Sequence, residues 1–272
     1  MDADRKICLY LCVFCAMVFP TRAMQAQRVA EWGNAVYIDM AIGDRCSYLG
    51  KTVTLVGSCN NYCTLDVDGV RRDLIVARRT LPTVIDGLRV FVAMNRNVKK
   101  LTSLSDSELG LCRKDALLCL SDASLPLLNR GQYTFPISRE DGYVWTMEEG
   151  SHLFSYSASF ANGRWSVKTH KGIDFNLHEA RGKQIHPLVA IEAGTVRWVE
   201  ENQGGTQKEG CICIQSASQP SIFYVYKHVN DAFIFVSAGQ KVEKGQRLAY
   251  IWGDNTWGHL HLGIVKREDD IT

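Results

Sequence analysis

From residue 30 to about 100 the chain alternates apolar and polar residues in short runs: AVYIDMA, KTVTLVGS, YCTLDVDG, DLIVARR and LRVFVAMN. Gly, Asn and Asp interrupt them at intervals of roughly ten residues, a spacing that predicts short antiparallel strands in a small sandwich or barrel. Asp68-Gly69 inside TLDVDGVRR suits a tight hairpin turn. From residue 185 the pattern is again strand, turn, strand. VAIEAG and TVRWVE meet at Gly194, CICIQS and IFYVYKHV flank SASQP, and FIFVSAG and RLAYIWG flank QKVEKGQ. No amphipathic helical run longer than about ten residues interrupts this half. Between the two halves, SLSDSELGLCRKDALLC fits a short helix capped by Ser105 or Asp106, and LLNRGQYTFPISREDGYVW reads as loop and extended chain. The expected architecture is therefore mainly β. It has a small β-sandwich or barrel over 27–100, a connecting segment over 101–150 and an all-β domain over 151–272.

Composition narrows this picture. A chain of 272 residues has room for one large domain or two ordinary ones. Its 46% hydrophobic and 22% charged residues are those of a folded protein. A net charge of +2 predicts neither a nucleic-acid footprint nor strong attraction to an anionic wall. No internal repeat or biased tract is present. At the N-terminus, Arg5 and Lys6 precede the apolar run Ile7 to Phe19, followed by Pro20 and TRAMQA. This reads as an export signal over 1–26, cut after Ala23 or Ala26, with an uncleaved anchor as the alternative because Asp2 and Asp4 are unusual in such a segment. As a helix the run spans only about 20 Å against a bilayer core of about 30 Å, so no lasting membrane span is expected. The expected location is the periplasm, cell envelope or extracellular space.

Beyond that segment lie Cys46, Cys59, Cys63, Cys112, Cys119, Cys211 and Cys213. An odd number leaves at least one thiol free or pairing between chains. Export predicts disulfides among the five in the N-terminal half. A structural zinc site at Cys59 and Cys63 competes, but Cys112 and Cys119 are spaced too widely to complete it. Cys211 and Cys213 alternate with Ile212 and Ile214, as in an ordinary strand.

The chemistry gathers in the second half, which holds all seven histidines. His170 and Asp174 stand four apart in HKGID, His259 and His261 two apart in GHLHLGI, and His228 lies between them in FYVYKHVN. Two neutral imidazoles and a carboxylate, with a fourth position left for water, make a hydrolytic zinc site. On a strand, residues two apart face one side, so His259 and His261 share a face while Leu260 and Leu262 pack behind. The spacing is not the His-Glu-x-x-His of helical zinc proteases, so the site is expected on a sheet. His152, His178 and His186 read as ordinary surface or core histidines.

This order of parts, over about residues 165 to 266, resembles the lysostaphin/LytM-type zinc metallopeptidases that cut peptidoglycan cross-links. The resemblance implies an endopeptidase that hydrolyses peptide bonds in peptidoglycan stems or cross-links, with one zinc per chain and peptidoglycan peptide as its substrate partner. It assigns His170, Asp174 and His261 to the metal, and His228 and His259 to proton transfer and oxyanion binding, without saying which does which. Tyr226, two residues before His228, is a candidate for the substrate groove, with an ordinary sheet aromatic as the alternative. Two rivals remain. One is a non-catalytic wall-binding or regulatory scaffold of the same fold. The other is a lipoyl- or biotinyl-type carrier, which needs an acceptor lysine beside methionine at a hairpin tip, and none is present. The N-terminal half, without histidine, is left for binding, targeting or masking. A fragment starting near residue 135 is expected to fold and carry the site alone.

Overall fold

The computed structural model describes residues 25–59, 62–75, 82–97, 111–138, 145–148, 158–161, 164–167, 173–177, 186–201, 209–252 and 259–266. Among them every regular element is a β-strand. The first part contributes β1 (Gln27–Trp32), β2 (Ala35–Met40), β3 (Arg45–Tyr48), β4 (Lys51–Ser58), β5 (Tyr62–Val67), β6 (Val70–Ile75), β7 (Thr83–Ile85), β8 (Leu88–Asn95) and β9 (Ala116–Asp122). They form a five-stranded sheet, β1-β2-β9-β8-β7, and a four-stranded sheet, β3-β4-β5-β6. Alternation explains how the two pack. Val36, Ile38 and Met40 of β2, with Ala116, Leu118 and Leu120 of β9, share one core with Val53, Leu55, Leu65 and Val67 of the second sheet. The expected sandwich is present. Its β5–β6 hairpin turns at Asp68 and Gly69, both at positive φ (48° and 89°), as an Asp-Gly turn requires.

The connecting segment departs from its expected form. Residues 101–110, and with them Ser105 and Asp106, lie outside the described residues. From Ala116 onward the chain is not helix or linker but the middle strand of the five-stranded sheet, paired with β2 on one side and β8 on the other. The physical reason is two-sided burial. In ALLCLSD the first six residues are all buried, a run that suits a strand covered on both faces.

The second part contributes β10 (Trp145–Glu148), the hairpin of β11 (Ala158–Ala161) and β12 (Arg164–Val167), β13 (Ile173–Leu177), β14 (Pro187–Val189) and β15 (Gly194–Glu200). It continues with β16 (Glu209–Ser216), β17 (Phe223–Ile234), β18 (Lys241–Val242), β19 (Arg247–Ile251) and β20 (His259–Val265). The large sheet runs β10-β13-β20-β17-β16-β15-β18, and β19 pairs with both β14 and β17. Residues 134–138 run beside β14: the Thr134 amide donates to the Ile191 carbonyl (2.8 Å) and the Val189 amide to the Pro136 carbonyl (2.8 Å).

The second face of the five-stranded sheet packs on this large sheet. Trp32, Ala35, Tyr37, Leu117 and Cys119 belong to one continuous core with Ile212, Tyr224, Tyr226, Leu260 and Leu262. A polar link crosses the same boundary. Trp32 Nε1 donates to the Tyr224 hydroxyl (3.0 Å), which donates to Glu192 Oε1 (2.6 Å), and Ser218 Oγ donates to Glu192 Oε2 (2.8 Å). The inner face of the second half is thus completed by β1, β2 and β9. The five-stranded sheet is therefore the middle of three layers, with one core on each of its faces.

The seven described cysteines form no disulfide with one another, in contrast to the one expected in the N-terminal half. They are distributed among separate cores: Cys63 between the first two sheets, Cys112 and Cys119 in the shared core, Cys213 on the outer face of the large sheet. Burial pushes the thiols of Cys46, Cys63, Cys119 and Cys211 up to about 11. Of the expected export segment over 1–26, residues 1–24 lie outside the described residues. Among those described, no helix is long and apolar enough to cross a membrane.

Candidate active site

Three neighbouring strands of the large sheet bring the polar residues together. In the β13–β20 register Asp174 stands directly opposite His261, and Asn176 opposite His259. In the β17–β20 register His261 also stands opposite Lys227. Residues paired in this way across antiparallel strands sit on one face of the sheet. The alternate residues Leu260 and Leu262 belong to the shared core on the other face, as do Ile212, Tyr224 and Tyr226. The period of two therefore does what GHLHLGI predicts. Both histidines are buried, His259 at 8% and His261 at 4% exposure.

His228 reaches that face by an irregularity. Cys211 pairs with Lys227 and Gly210 with Val229, so His228 is the extra residue of a β-bulge. Its φ is +60°, a left-handed conformation that is uncommon for a residue other than glycine. The bulge lies where β17 leaves β20 and takes up β19: Val229 pairs with Ile251, and the Trp252 amide donates to the His228 carbonyl (2.8 Å). Its consequence is that Lys227 and His228 both fall on the histidine face. The His228 ring centroid lies 4.5 Å from that of His259 and 6.3 Å from that of His261, edge to face in both cases.

The same bulge corrects the reading of Tyr226. Simple alternation puts Tyr226 on the face of His228; the inserted residue moves it to the opposite one. Tyr226 is fully buried, its hydroxyl accepting from the Ile191 amide (3.0 Å) and donating to the Val189 carbonyl (3.2 Å). It is a core residue that ties β17 to the chain around β14, not a groove residue.

One polar neighbour was not expected from sequence. Glu209, the first residue of β16, sets its Oε2 against His228 Nδ1 in a short contact. Burial pushes the Glu209 carboxyl above the usual range, while His259 and Lys227 pull it back down. Nothing in KEGCICIQS marks this glutamate. Its partner lies nineteen residues away and becomes visible only through the β16–β17 register. Of the other histidines, His186 is buried at the start of β14, its carbonyl accepting from the Ile251 amide (3.1 Å). His152 and His178 lie outside the described residues.

His170 also lies outside them, and Asp174 is described by its backbone alone. Among the described residues no group of three His, Cys, Asp or Glu side chains is placed to hold a metal. The residues present nonetheless fit zinc: a buried imidazole at His261 has a carboxylate residue directly opposite in register, four residues after a second histidine.

Residues 168–272 match the model of peptidase family M23, and this part of the chain is a domain of that family. No curated protein matches the chain. Among solved structures it is similar to CbpA from L. salivarius REN, at 22% identity over 37% of this chain and 58% of that one, with a TM-score of 0.28. The lysostaphin catalytic domain from Staphylococcus simulans aligns at 20% identity over 48% of this chain and 86% of that one, with a TM-score of 0.32. A putative glycyl-glycine endopeptidase LytM from Ruminococcus gnavus aligns at 22% identity over 52% and 55%, with a TM-score of 0.34. The chain thus spans just over half the length of the first and third of these.

Proposed function

We propose that this protein is an exported zinc endopeptidase that hydrolyses peptide bonds in peptidoglycan stems or cross-links. His170, Asp174 and His261 would hold one zinc ion. The observation that carries the reading is the meeting of Asp174, His261, His259 and His228 on one face of three adjacent strands, with the last delivered there by a strained bulge. A lone histidine needs no such backbone, and left-handed non-glycine residues cluster at functional sites. The family match over 168–272 supports the same reaction class.

When bound, zinc supplies Lewis acidity that acidifies water and polarises the scissile carbonyl. The protein's own part is proton traffic and charge placement. One of His228 and His259 removes a proton from the attacking water, and the other donates a hydrogen bond to the oxygen that becomes negative. The 4.5 Å separation of their rings lets both address a single reacting centre. Leu260 and Leu262, buried behind, hold β20 in register so that His259 and His261 stay on one face.

Zinc content and peptide release test the proposal together. Purified protein should carry about one zinc per chain, lost on His170→Ala, Asp174→Ala or His261→Ala. His228→Ala and His259→Ala should keep the metal and slow release of muropeptides from isolated wall about a hundredfold or more. Normal zinc content in His261→Ala would sink the ligand assignment.

A further inference from the structure

The contact between Glu209 and His228 bears on which histidine takes the proton. We propose that Glu209 is the positioning residue for His228: it holds the imidazole in the Nδ1-protonated tautomer, which makes His228 Nε2 the base and leaves His259 as the oxyanion donor. The inference rests on the endopeptidase reading above and divides the labour within it.

The geometry carries the first step. His228 cannot rotate its backbone away, because its carbonyl is tied to the Trp252 amide and its neighbours Lys227 and Val229 are paired to β16. Its Nδ1 is in contact with Glu209 Oε2, and the two side chains are only 26% and 19% exposed. An ionised carboxylate has acceptors and no donor, so Nδ1 must carry the proton. In a neutral imidazole the other nitrogen, Nε2, then keeps its lone pair. A base needs that lone pair; a donor to an oxyanion needs a proton on the same atom. The carboxylate therefore fits one of the two roles and not the other. It also stabilises the imidazolium once Nε2 has taken a proton, as an acidic partner does for a catalytic histidine.

The backbone around Glu209 is closely confined. Gly210 pairs with Val229 beside the bulge, and a Cβ there would come within 2.4 Å of both the Glu200 carbonyl oxygen and Asp231 Oδ1. No other residue lets β15, β16 and β17 close at this point. Glu209 thus leaves a fixed strand end rather than a loose loop.

The opposite arrangement is chemically distinct. A protonated Glu209 would donate to a bare Nδ1, leave Nε2–H on His228, and reverse the two roles. Two-bond proton–nitrogen correlation spectra of the 15N-histidine-labelled full chain, with and without one equivalent of zinc, separate the cases. His228→Ala supplies the assignment. Wild type should show His228 protonated at Nδ1 and bare at Nε2. Glu209→Ala should lose that preference, while Glu209→Gln, whose amide oxygen still accepts, should retain it in a fold of unchanged shape. On muropeptide substrate, Glu209→Ala should lower kcat about tenfold to a hundredfold with KM and zinc content unchanged. An Nε2–H tautomer in wild type overturns the inference, as does a tautomer indifferent to Glu209→Ala. If wild type releases no peptide from wall, the endopeptidase reading fails alone, since the spectra still decide whether Glu209 sets the His228 tautomer.

Discussion

His228 is a place where local preference and function pull apart. Its left-handed backbone costs a non-glycine residue about 1–2 kcal/mol, more for a β-branched side chain. Ordinary strand preference ranks valine well above glycine. At this position the order should invert. His228→Gly is expected to unfold at the same or higher urea concentration than the parent, whereas His228→Val should lose about 1–3 kcal/mol. Both should be inactive. Equal stability of the two variants would mean that the bulge is absent in solution. Tyr226, one face away, illustrates the same point from the other side. Its letters are as compatible with a groove as with a core, and the inserted residue decides between them.

At the scale of elements, β9 is the strand whose role differs most from its appearance. Read alone, DALLCLSD after a polar stretch looks like the end of a helix or a connector. In the molecule it lies between β2 and β8, with Leu118 and Leu120 in one core and Leu117 and Cys119 in the other. A strand with one wet face tolerates truncation on that face; β9 has none. Leu117→Ala and Leu118→Ala are each expected to cost about 2–5 kcal/mol, measured by urea midpoint. Should either be neutral, one of the two layers contacting β9 would be wrongly assigned.

For the whole molecule the consequence is a shared fate for its two halves. The large sheet buries its inner face against β1, β2 and β9, and the Trp32–Tyr224–Glu192 chain of hydrogen bonds crosses that boundary. Removing residues 1–134 would expose the Tyr224 and Tyr226 side of the core and leave the buried Glu192 without its Trp32-supported partner geometry. Unpaired polar groups and bare apolar faces are both costly. The full chain should therefore unfold in one cooperative transition. A fragment from residue 135 should unfold at lower denaturant, bind a hydrophobic dye, and hold zinc more weakly. A fragment as stable as the full chain would show the layers to be independent.

Much of this was legible in the chain itself. The period of two in GHLHLGI and the turn residues between short apolar runs determine the β class and the face shared by His259 and His261. These follow from backbone geometry that is the same in every strand. The pairing of Asp174 with His261, the bulge at His228, the burial of Tyr226, the contact with Glu209 and the second buried face of β9 were decided only by the tertiary structure. Each depends on register or on what covers a face, and those are set by strands far apart in sequence. A one-residue slip in register reverses every side chain on a strand, while leaving its sequence pattern unchanged.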